Sequence, residues 1–375
     1  MNMLEADLIP NPIDRIIRAD QWVPPADIKF ISADDHLLEA DHLFEQRLPD
    51  KFKAKAPKIW RDPATRIVHV EMMGRAFDPP GIGTIGHECP GFWDADERLR
   101  VMDLEKIRAT VLYHGQAQAL NFLIAEDPEL YIACMDVYNE WVAEYTAPHR
   151  DRMIGTAILP SFLKPETAHD QMQKIKDLGF RSVQMPSYPR GVRYNSRELD
   201  PVWEAVIAAG LPIAFHVTAT QEFSGWGSLG ANLNRNLSPF RPLLGQLIFS
   251  GLFDRHPDLK VVFAEGGATW VADAIVSMDK ICRSYHAIVR PKLEHLPSYY
   301  WKNNCYATFM EDALAMRLID VIGEDNMMWS LDFPHPESVY GYAAEVAQSV
   351  YDAVGHNAAK KILGGTAARL YNIAV

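Results

Sequence analysis

The segment KFISADDH, residues 29–36, is a short β-rich run that ends in two aspartates and a histidine. Seven similar runs follow, ending near His114, Ala157, Met185, His216, Glu265, Thr308 and Asp332. Longer stretches with helical periodicity separate them, which is the pattern of repeated βα units around a parallel sheet. Eight such units over about 300 residues favour a closed (β/α)8 barrel, the TIM barrel, over an open sheet.

Two parts of the chain lie outside this repeat. Residues 1–29 precede the first strand and predict an extended N-terminal arm, which leaves residues 30–375 for the barrel. Residues 43–108 do not fit a simple βα spacing, so we interpret them as an insertion after the first strand. Because (β/α)8 barrels carry their sites on the C-terminal face, this insertion is expected to form a lid or a wall of a substrate site.

The composition excludes several classes of function. The 375 residues include 37 Lys and Arg against 49 Asp and Glu, a net charge of −12, and no basic run is dense enough to follow a phosphate backbone. No stretch approaches the roughly 20 apolar residues that span a bilayer. The four cysteines form no CxxC pair, which fits a reducing cytoplasm. We therefore expect a cytoplasmic protein that binds neither nucleic acid nor membrane. The N-terminal arm and the apolar helices offer surfaces for a homo-oligomer, a dimer or larger, which the composition does not decide.

Polar residues stand where the apolar strands end. Asp34 and His36 are two residues apart, so both side chains point to one side of the first strand. His216 ends PIAFH, Glu265 ends VVFAE and Asp332 ends WSLD. A barrel brings these ends to one face, and burying such groups is unfavourable unless they meet protons, partners or a metal ion. Each residue alone could be a cap or a core hydrogen-bonding group, but together they predict a metal site.

Several segments resemble the amidohydrolase-related (amidohydrolase 2) family of metal-dependent TIM barrels. The resemblance covers nearly all of the chain after Phe30 and is carried by ISADDHLLE, PIAFH, LKVVFAEGGATW, SLDFPHPES and ILGGTAARLYNI. It implies one divalent metal held by a first-strand pair, a fifth-strand histidine and an eighth-strand aspartate. The matching residues are Asp34, His36, His216 and Asp332. Because the family includes hydrolases of amides and lactones and non-oxidative decarboxylases of aromatic acids, the resemblance implies the fold more firmly than the substrate.

The sequence departs from the common family pattern at two places. The first strand offers a DxH pair with Glu39 close behind, where many members have HxH, and the sixth strand carries Glu265 where many have histidine. Both changes favour Mn or Fe over the Zn of nitrogen-rich sites. One or two ions are expected per chain. The candidate ligands are Asp34, His36, Glu39, His216, Glu265 and Asp332.

Three kinds of function remain open. In the leading hypothesis the protein is a metal-dependent hydrolase or non-oxidative decarboxylase, with Asp332 as general base and His335, Glu265 or His114 as the acid. The alternative uses the additional carboxylates for two irons, which would make the protein a non-haem di-iron monooxygenase acting on an apolar or terpenoid-like acid. A minor alternative is a barrel that binds a ligand without catalysis.

The substrate is expected to be a small organic molecule, with a carboxylic acid favoured. Trp93, Phe223 and Trp226 fall in predicted loops and could supply an aromatic lining. Arg181 flanks the fourth strand and could neutralise a substrate carboxylate, and His114 ends the second strand. The polar loop that follows His216, residues 218–240, is the expected substrate gate.

Overall fold

In a computed structural model of the chain, eight parallel strands form one sheet surrounded by helices. The structure describes residues 9–18, 21–64, 67–77, 89–217, 223–236 and 240–375. The strands of this sheet follow one another in chain order, and every neighbouring pair is parallel. Its strands are β1 (Phe30–His36), β5 (Ile107–Tyr113), β6 (Met153–Ile158), β7 (Ser182–Pro186), β8 (Ile213–His216), β9 (Val261–Ala264), β10 (Cys305–Phe309) and β11 (Met327–Trp329).

Two backbone hydrogen bonds join the first strand to the segment that follows the last one. The amide of Asp332 donates to the carbonyl oxygen of Asp34 (2.9 Å), and the amide of His36 donates to that of Phe333 (2.9 Å). These bonds close the sheet into the predicted (β/α)8 barrel. They also bring the end of the first strand beside the end of the eighth.

The barrel has an inner and an outer layer of core residues. Small and medium side chains such as Ile31, Ala33, Ala214 and Val262 fill the inside, and the larger core lies between the strands and the helices. The helices are α1 (Leu43–Arg47), α2 (Asp50–Lys53), α3 (Ala95–Leu104), α4 (Leu123–Glu126), α5 (Pro128–Thr146), α6 (Ala168–Asp177), α7 (Asp200–Ala209), α8 (Ser228–Asn236), α9 (Phe240–Phe249), α10 (Leu252–Arg255), α11 (Thr269–Ser284), α12 (Pro297–Asn304), α13 (Ala313–Arg317), α14 (Ile319–Ile322), α15 (Ala343–Lys360) and α16 (Thr366–Leu370).

Local sequence signals explain where the larger helices begin and end. Asp94 accepts hydrogen bonds from the first-turn amides of α3, and Asp127 does the same for α5, which starts with a proline. Helix α7 ends at Gly210, whose φ of 69° is the left-handed conformation that glycine adopts without strain.

The segment between β1 and β5 contains a small sheet of its own and shares the core of the barrel. It contains an antiparallel sheet in the order β2-β3-β4, made of Lys58–Arg61, Val68–Met72 and Arg75–Ala76. Of the N-terminal arm, residues 9–18 and 21–29 are described, with a single 3-10 turn at Pro12–Asp14. Among the described residues, no helix has the length and apolar character needed to cross a membrane. The homo-oligomer stays a prediction.

Candidate metal centre

Four strand ends bring their polar side chains to one point at the C-terminal face of the barrel. The Nε2 atom of His216 lies 3.3 Å from Asp34 Oδ1 and 2.9 Å from Glu265 Oε2. The Nε2 atom of His36 lies 3.3 Å from Asp332 Oδ1, 3.7 Å from Glu265 Oε2 and 3.9 Å from Asp34 Oδ1. All five residues are at most 7% exposed, so the side chains that the sequence marked at the strand ends do converge in a buried cluster.

An irregularity in the first strand explains how Asp34 and His36 face inward. Ile31 and Ala33 point into the barrel, so a regular strand would turn the odd-numbered Asp35 inward instead. The pairing of β1 with β5 shifts register between Ser32 and Asp35. Such a bulge exchanges the two faces of a strand. Asp34 and His36 therefore enter the cluster, while Asp35 points sideways.

Glu265 and Asp332 adopt a backbone conformation that is rare for their residue types. Their φ angles are 72° and 59°, in the left-handed region. Each residue follows its strand directly or within three positions, where the chain turns away from the barrel. Strained backbone of this kind is concentrated at functional sites, where the surrounding structure holds it in place. Here it aims two carboxylates at the cluster.

The two histidines are oriented by backbone carbonyl groups. The Nδ1–H of His36 donates to the carbonyl oxygen of His114 (2.7 Å), and that of His216 donates to the carbonyl of Val217 (2.8 Å). This assignment follows from the hydrogen bonds, because a carbonyl oxygen only accepts. It leaves both Nε2 lone pairs directed at the carboxylates. Metal-binding histidines are commonly fixed in this way.

Several atoms of the cluster lack a hydrogen-bonding partner. Within the described part of the chain, Asp34 Oδ1, His36 Nε2 and both carboxylate oxygens of Asp332 form no hydrogen bond. Buried polar atoms are normally satisfied, so an orphaned group requires an explanation. Lone pairs of two imidazoles and several carboxylates that face one another repel unless a proton or a cation lies between them. The donors present therefore fit a divalent metal ion.

The pKa values of the carboxylic acids indicate the same deficit of positive charge. Burial raises the pKa of Asp332 well above its ordinary value, and the nearby carboxylates of Glu265 and Glu337 raise it further. Burial also raises the pKa of Glu265, against the opposing effect of His216. These groups repel each other in a site of low dielectric. A bound cation would relieve both effects.

The imidazole groups respond in opposite directions. Burial lowers the pKa of His36 well below its ordinary value, and the neighbouring His335 and His216 lower it further. Burial opposes protonation of His216 too, but the carboxylates of Asp34 and Glu265 outweigh it and raise its pKa. The raised pKa favours a proton on His216, and the positive charge of that proton stands where a metal ion would supply positive charge.

Thr308 holds two members of the cluster together. Its hydroxyl donates to Asp34 Oδ2 (3.1 Å) and accepts from the backbone amide of Glu265 (2.7 Å). Thr308 is fully buried on β10. One side chain thus connects the first strand to the sixth. No motif singled out Thr308, although its place near the end of an apolar strand was visible in the sequence.

Asp35 has a structural rather than a ligand-like environment. One carboxylate oxygen accepts from the hydroxyl of Thr110 (2.5 Å) and the other from the amide of Phe333 (2.8 Å). The buried guanidinium of Arg98 lies 3.8 Å away and also donates to the carbonyl of His36. Burial nevertheless raises the pKa of Asp35 to about 6. Arg98 and Asp35 fix the backbone on which Asp34 and His36 stand.

Glu39 lies apart from this cluster. Its buried carboxylate accepts hydrogen bonds from the amides of Gly115 (3.2 Å), Gln116 (2.8 Å) and Ala117 (3.0 Å). These contacts occupy the oxygens that the sequence analysis offered to a metal. Glu39 connects the segment after the first strand to the turn after β5, and among the described residues its carboxylate joins none of the clusters of histidines and carboxylates that could hold an ion.

The proposed acids lie beside the cluster. The ring of His335 is centred 4.2 Å from that of His36, and one ligand atom each of His36, Asp332 and His335 lie within 4.8 Å of one another. His114 lies on the other side, with its ring 5.4 Å from the His216 ring, and burial lowers its pKa to about 3. His114 is therefore neutral at physiological pH.

Of the predicted substrate residues, His114 borders a cavity next to the cluster. This cavity has a free volume of about 10 Å³, close to the space that one water molecule needs. Trp93 stacks under the guanidinium of Arg61 at 3.7 Å. Phe223 is half exposed and Trp226 fully exposed, and residues 218–222 and 237–239 of the predicted gate lie outside the described residues. The cavity is lined by His114, Ala117, Gln118, Asn121, Ile158, Gln184, Met185, Pro186 and His216.

Arg181 lies at the opposite end of the barrel from the cluster. It directly precedes β7, and its guanidinium donates to the carbonyl of Asn372 (2.9 Å) and to that of Arg150. A residue before a parallel strand belongs to the N-terminal face, whereas the cluster is on the C-terminal face. The expectation that Arg181 meets the substrate therefore finds no geometric support.

Glu337 is a neighbour of the cluster that the sequence analysis missed. Its carboxylate joins those of Glu265 and Asp332 in a group whose oxygens lie within 4.8 Å of one another. It follows Asp332 by five positions, in the loop that also carries His335. The acidic character of SLDFPHPES was the available signal.

A (β/α)8 barrel with histidines and carboxylates gathered at the C-terminal ends of its first, fifth, sixth and eighth strands defines a metal-dependent barrel enzyme of the hydrolase or lyase kind. The chain belongs to the amidohydrolase family, whose model matches residues 82–373. The resemblance noted in the sequence is thereby confirmed.

Curated relatives of the chain are decarboxylases. The chain is 23% identical over 294 residues to the 2-amino-3-carboxymuconate-6-semialdehyde decarboxylase of Dictyostelium discoideum. The aligned part covers 73% of this chain and 76% of that protein. It is 26% identical over 302 residues to the gamma-resorcylate decarboxylase of a Polaromonas species, covering 74% and 87% of the two chains.

A solved structure supports the fold. The 5-carboxyvanillate decarboxylase of Novosphingobium aromaticivorans, crystallised with manganese and 4-hydroxy-3-methoxy-5-nitrobenzoic acid, superimposes with a TM-score of 0.67. The match covers 95% of this chain and 99% of that one at 19% sequence identity. At this identity the likeness establishes the architecture of the barrel.

Proposed function

We propose that the protein is a metal-dependent, non-oxidative decarboxylase of a small aromatic carboxylic acid. The observation that carries this proposal is the buried group of Asp34, His36 and His216, with Asp332 beside it and unsatisfied lone pairs directed at one point. The decarboxylase relatives favour this reaction over hydrolysis. None of them favours a di-iron monooxygenase.

We propose one divalent ion per chain, held by Asp34, His36 and His216. Three protein ligands leave coordination positions for a substrate, as catalytic metal sites require. The mixture of oxygen and nitrogen donors favours Mn²⁺, the ion bound in the related 5-carboxyvanillate decarboxylase. When bound, the ion neutralises a substrate carboxylate and orients it. The chain needs such help, since among the described residues no Lys or Arg side chain lines the neighbouring cavity.

The proton for the reaction would come from Asp332. Its buried carboxyl group lies at the edge of the proposed ligand set, 3.3 Å from His36 Nε2, beside the place where a substrate carboxylate would bind. The proton forms the new C–H bond at the ring carbon that bears the carboxylate. The C–C bond then breaks, its electron pair returns to the ring, and CO2 leaves. Glu265 and His335 would keep the proton donor in place.

The cavity beside His216 would receive the aromatic ring. Its free volume in this structure is about 10 Å³, so the lining side chains would have to move apart to admit the ring. Gln118, Asn121 and Gln184 would then offer amide groups to ring substituents such as hydroxyls. Met185 and Ile158 provide apolar contact for the ring face.

The proposal is tested with protein stripped of metal and reloaded with Mn²⁺ under argon. A panel of hydroxylated benzoic acids, including 2,6-dihydroxybenzoate and 5-carboxyvanillate, is assayed for CO2 release in D2O. We expect one acid to give equimolar CO2 and ring-deuterated product. The Asp332→Asn variant should lower turnover by a factor of about 100 or more. Release of CO2 only in the presence of O2, or full activity of this variant, would contradict the proposal.

A further inference from the structure

Arg15, near the N-terminus, forms hydrogen bonds to the loop that follows the eighth strand, residues 334–341. Arg15, in the N-terminal arm, donates from Nη1 to the carbonyl oxygens of Ser338 (2.6 Å) and Tyr340 (3.1 Å), and from Nη2 to that of Pro336 (2.5 Å). Its Nη1 also lies 3.0 Å from the hydroxyl oxygen of Ser338. One guanidinium thus spans the loop over five residues.

The carbonyl groups that accept hydrogen bonds from Arg15 lie on both sides of Glu337 in the sequence. Pro336 precedes this glutamate and Ser338 follows it, so Arg15 fixes the backbone on which the Glu337 side chain stands. That side chain is half-buried and lies against the carboxylates of Glu265 and Asp332. The position of the third carboxylate in this group is therefore set by a residue 322 positions away in sequence.

The fit between Arg15 and the loop is specific for both partners. The Cβ that a side chain at position 341 would add lies 2.8 Å from the Cβ of Arg15, and the φ of Gly341 is +93°, so glycine is required there. The amide of Gly341 also donates to the buried carboxylate of Glu105, which holds the end of the loop. A planar guanidinium can meet three carbonyls at once, whereas a lysine ammonium presents a single point.

We propose that Glu337 belongs to the metal centre and that Arg15 is its positioning residue. Glu337 adds a negative charge beside the proposed ion on the side of Asp332, and Arg15 keeps this charge within reach. This inference rests on the proposed metal ion but not on the proposed reaction, since it concerns the affinity of the ion in the absence of substrate.

The test is a titration of the metal-free full chain with Mn²⁺, followed by electron paramagnetic resonance. Glu337→Gln should weaken Mn²⁺ binding about tenfold, as expected for a group next to the ligands. Arg15→Lys keeps the positive charge but loses the planar guanidinium that meets several carbonyls at once. This change should weaken Mn²⁺ binding to a similar degree. Because both changes remove the same effect, the double variant should bind no more weakly than about the weaker single variant.

A second arginine of the same arm provides the matched control. Arg18 forms an exposed ion pair with Glu345 at 3.1 Å, so Arg18→Gln should bind Mn²⁺ like the wild type. Hydrogen–deuterium exchange should be faster in residues 334–341 of Arg15→Lys and unchanged there in Arg18→Gln.

Three results would overturn the inference. These are wild-type affinity in Glu337→Gln, additive losses in the double variant, or unchanged exchange in the loop of Arg15→Lys. A wild-type protein that binds no Mn²⁺ would overturn the proposed function as well, and is recognised because all variants then behave alike.

Discussion

Replacing Thr308 with valine removes one hydroxyl group that serves two members of the metal centre. Valine has nearly the same shape, so the change creates no large cavity. The variant loses the hydrogen bond to Asp34 Oδ2, about 1.5–3 kcal/mol for a charged acceptor, and leaves the buried amide of Glu265 without its partner, about 1–3 kcal/mol more. We expect the metal-free protein to lose about 4 kcal/mol of stability.

This loss translates into a measurable shift of the thermal midpoint. With an unfolding entropy of about 2.1 cal/mol/K per residue, a change of about 4 kcal/mol in a chain of 375 residues lowers the midpoint by about 5 °C. The affinity for Mn²⁺ should fall by a factor of about 10–100, because Asp34 loses the group that orients it. Calorimetry of the metal-free protein and Mn²⁺ titration measure the two effects.

Thr156 provides the control for this experiment. It is buried on the barrel strand β6, and within the described residues its hydroxyl has no hydrogen-bonding partner. Thr156→Val should therefore be neutral or slightly stabilising and should bind Mn²⁺ like the wild type. If Thr308→Val and Thr156→Val have the same midpoint and the same affinity, Thr308 does not organise the metal centre and the reasoning is refuted.

Three further predictions concern residues around the barrel. Burial raises the pKa of Glu105 from 4.5 to about 7, so the folded protein keeps a proton that the unfolded chain releases, and stability should fall by about 3 kcal/mol as the pH rises through this interval. Urea unfolding at pH 5 and pH 8 should show this decrease in the wild type and lose most of it in Glu105→Gln; an equal decrease in both would contradict the assignment. Arg181→Gln should leave the KM of the active enzyme within about twofold of the wild type, because its contacts with Asn372 and Arg150 are on the opposite face, and a KM raised tenfold would restore it as a substrate residue. Glu39→Gln should cost about 2 kcal/mol of stability through its amide contacts yet keep the full metal content by elemental analysis, whereas loss of the metal would make Glu39 a ligand.

The sequence was informative about the barrel because hydrophobic strands ended in groups that are unfavourable to bury alone. His216 ends β8 in the structure, and Glu265 follows β9 directly, as the pattern predicted. The parallel arrangement then places such ends on one face without further information. The positions of Asp34, His36 and Asp332 at strand ends likewise predicted that their side chains meet on this face.

Other features depend on geometry that spacing does not contain. The alternation of strand residues does not reveal the register shift in β1, which decides whether Asp34 or Asp35 faces inward. The left-handed conformation of Glu265 is likewise a property of the turn rather than of the residue type. Contacts between distant segments, such as Arg15 with the loop around Glu337, arise only when the barrel closes.

The position of Arg181 on the N-terminal face of the barrel follows from the sequence order alone. This residue precedes its strand, and the order of residues along a parallel strand already places it at the N-terminal end. Phe223 and Trp226 show the opposite difficulty, because a loop aromatic can face solvent as readily as a ligand. Loop composition alone does not decide between these environments.

The metal content per chain tests the central claim most directly. Protein dialysed against Mn²⁺ and then against metal-free buffer is analysed for its elements, beside the His216→Gln variant. The account predicts close to one divalent ion per wild-type chain and less than about a tenth of that in the variant, because His216 is one of the three proposed ligands. A wild-type chain without bound metal, or equal metal in both proteins, would contradict it.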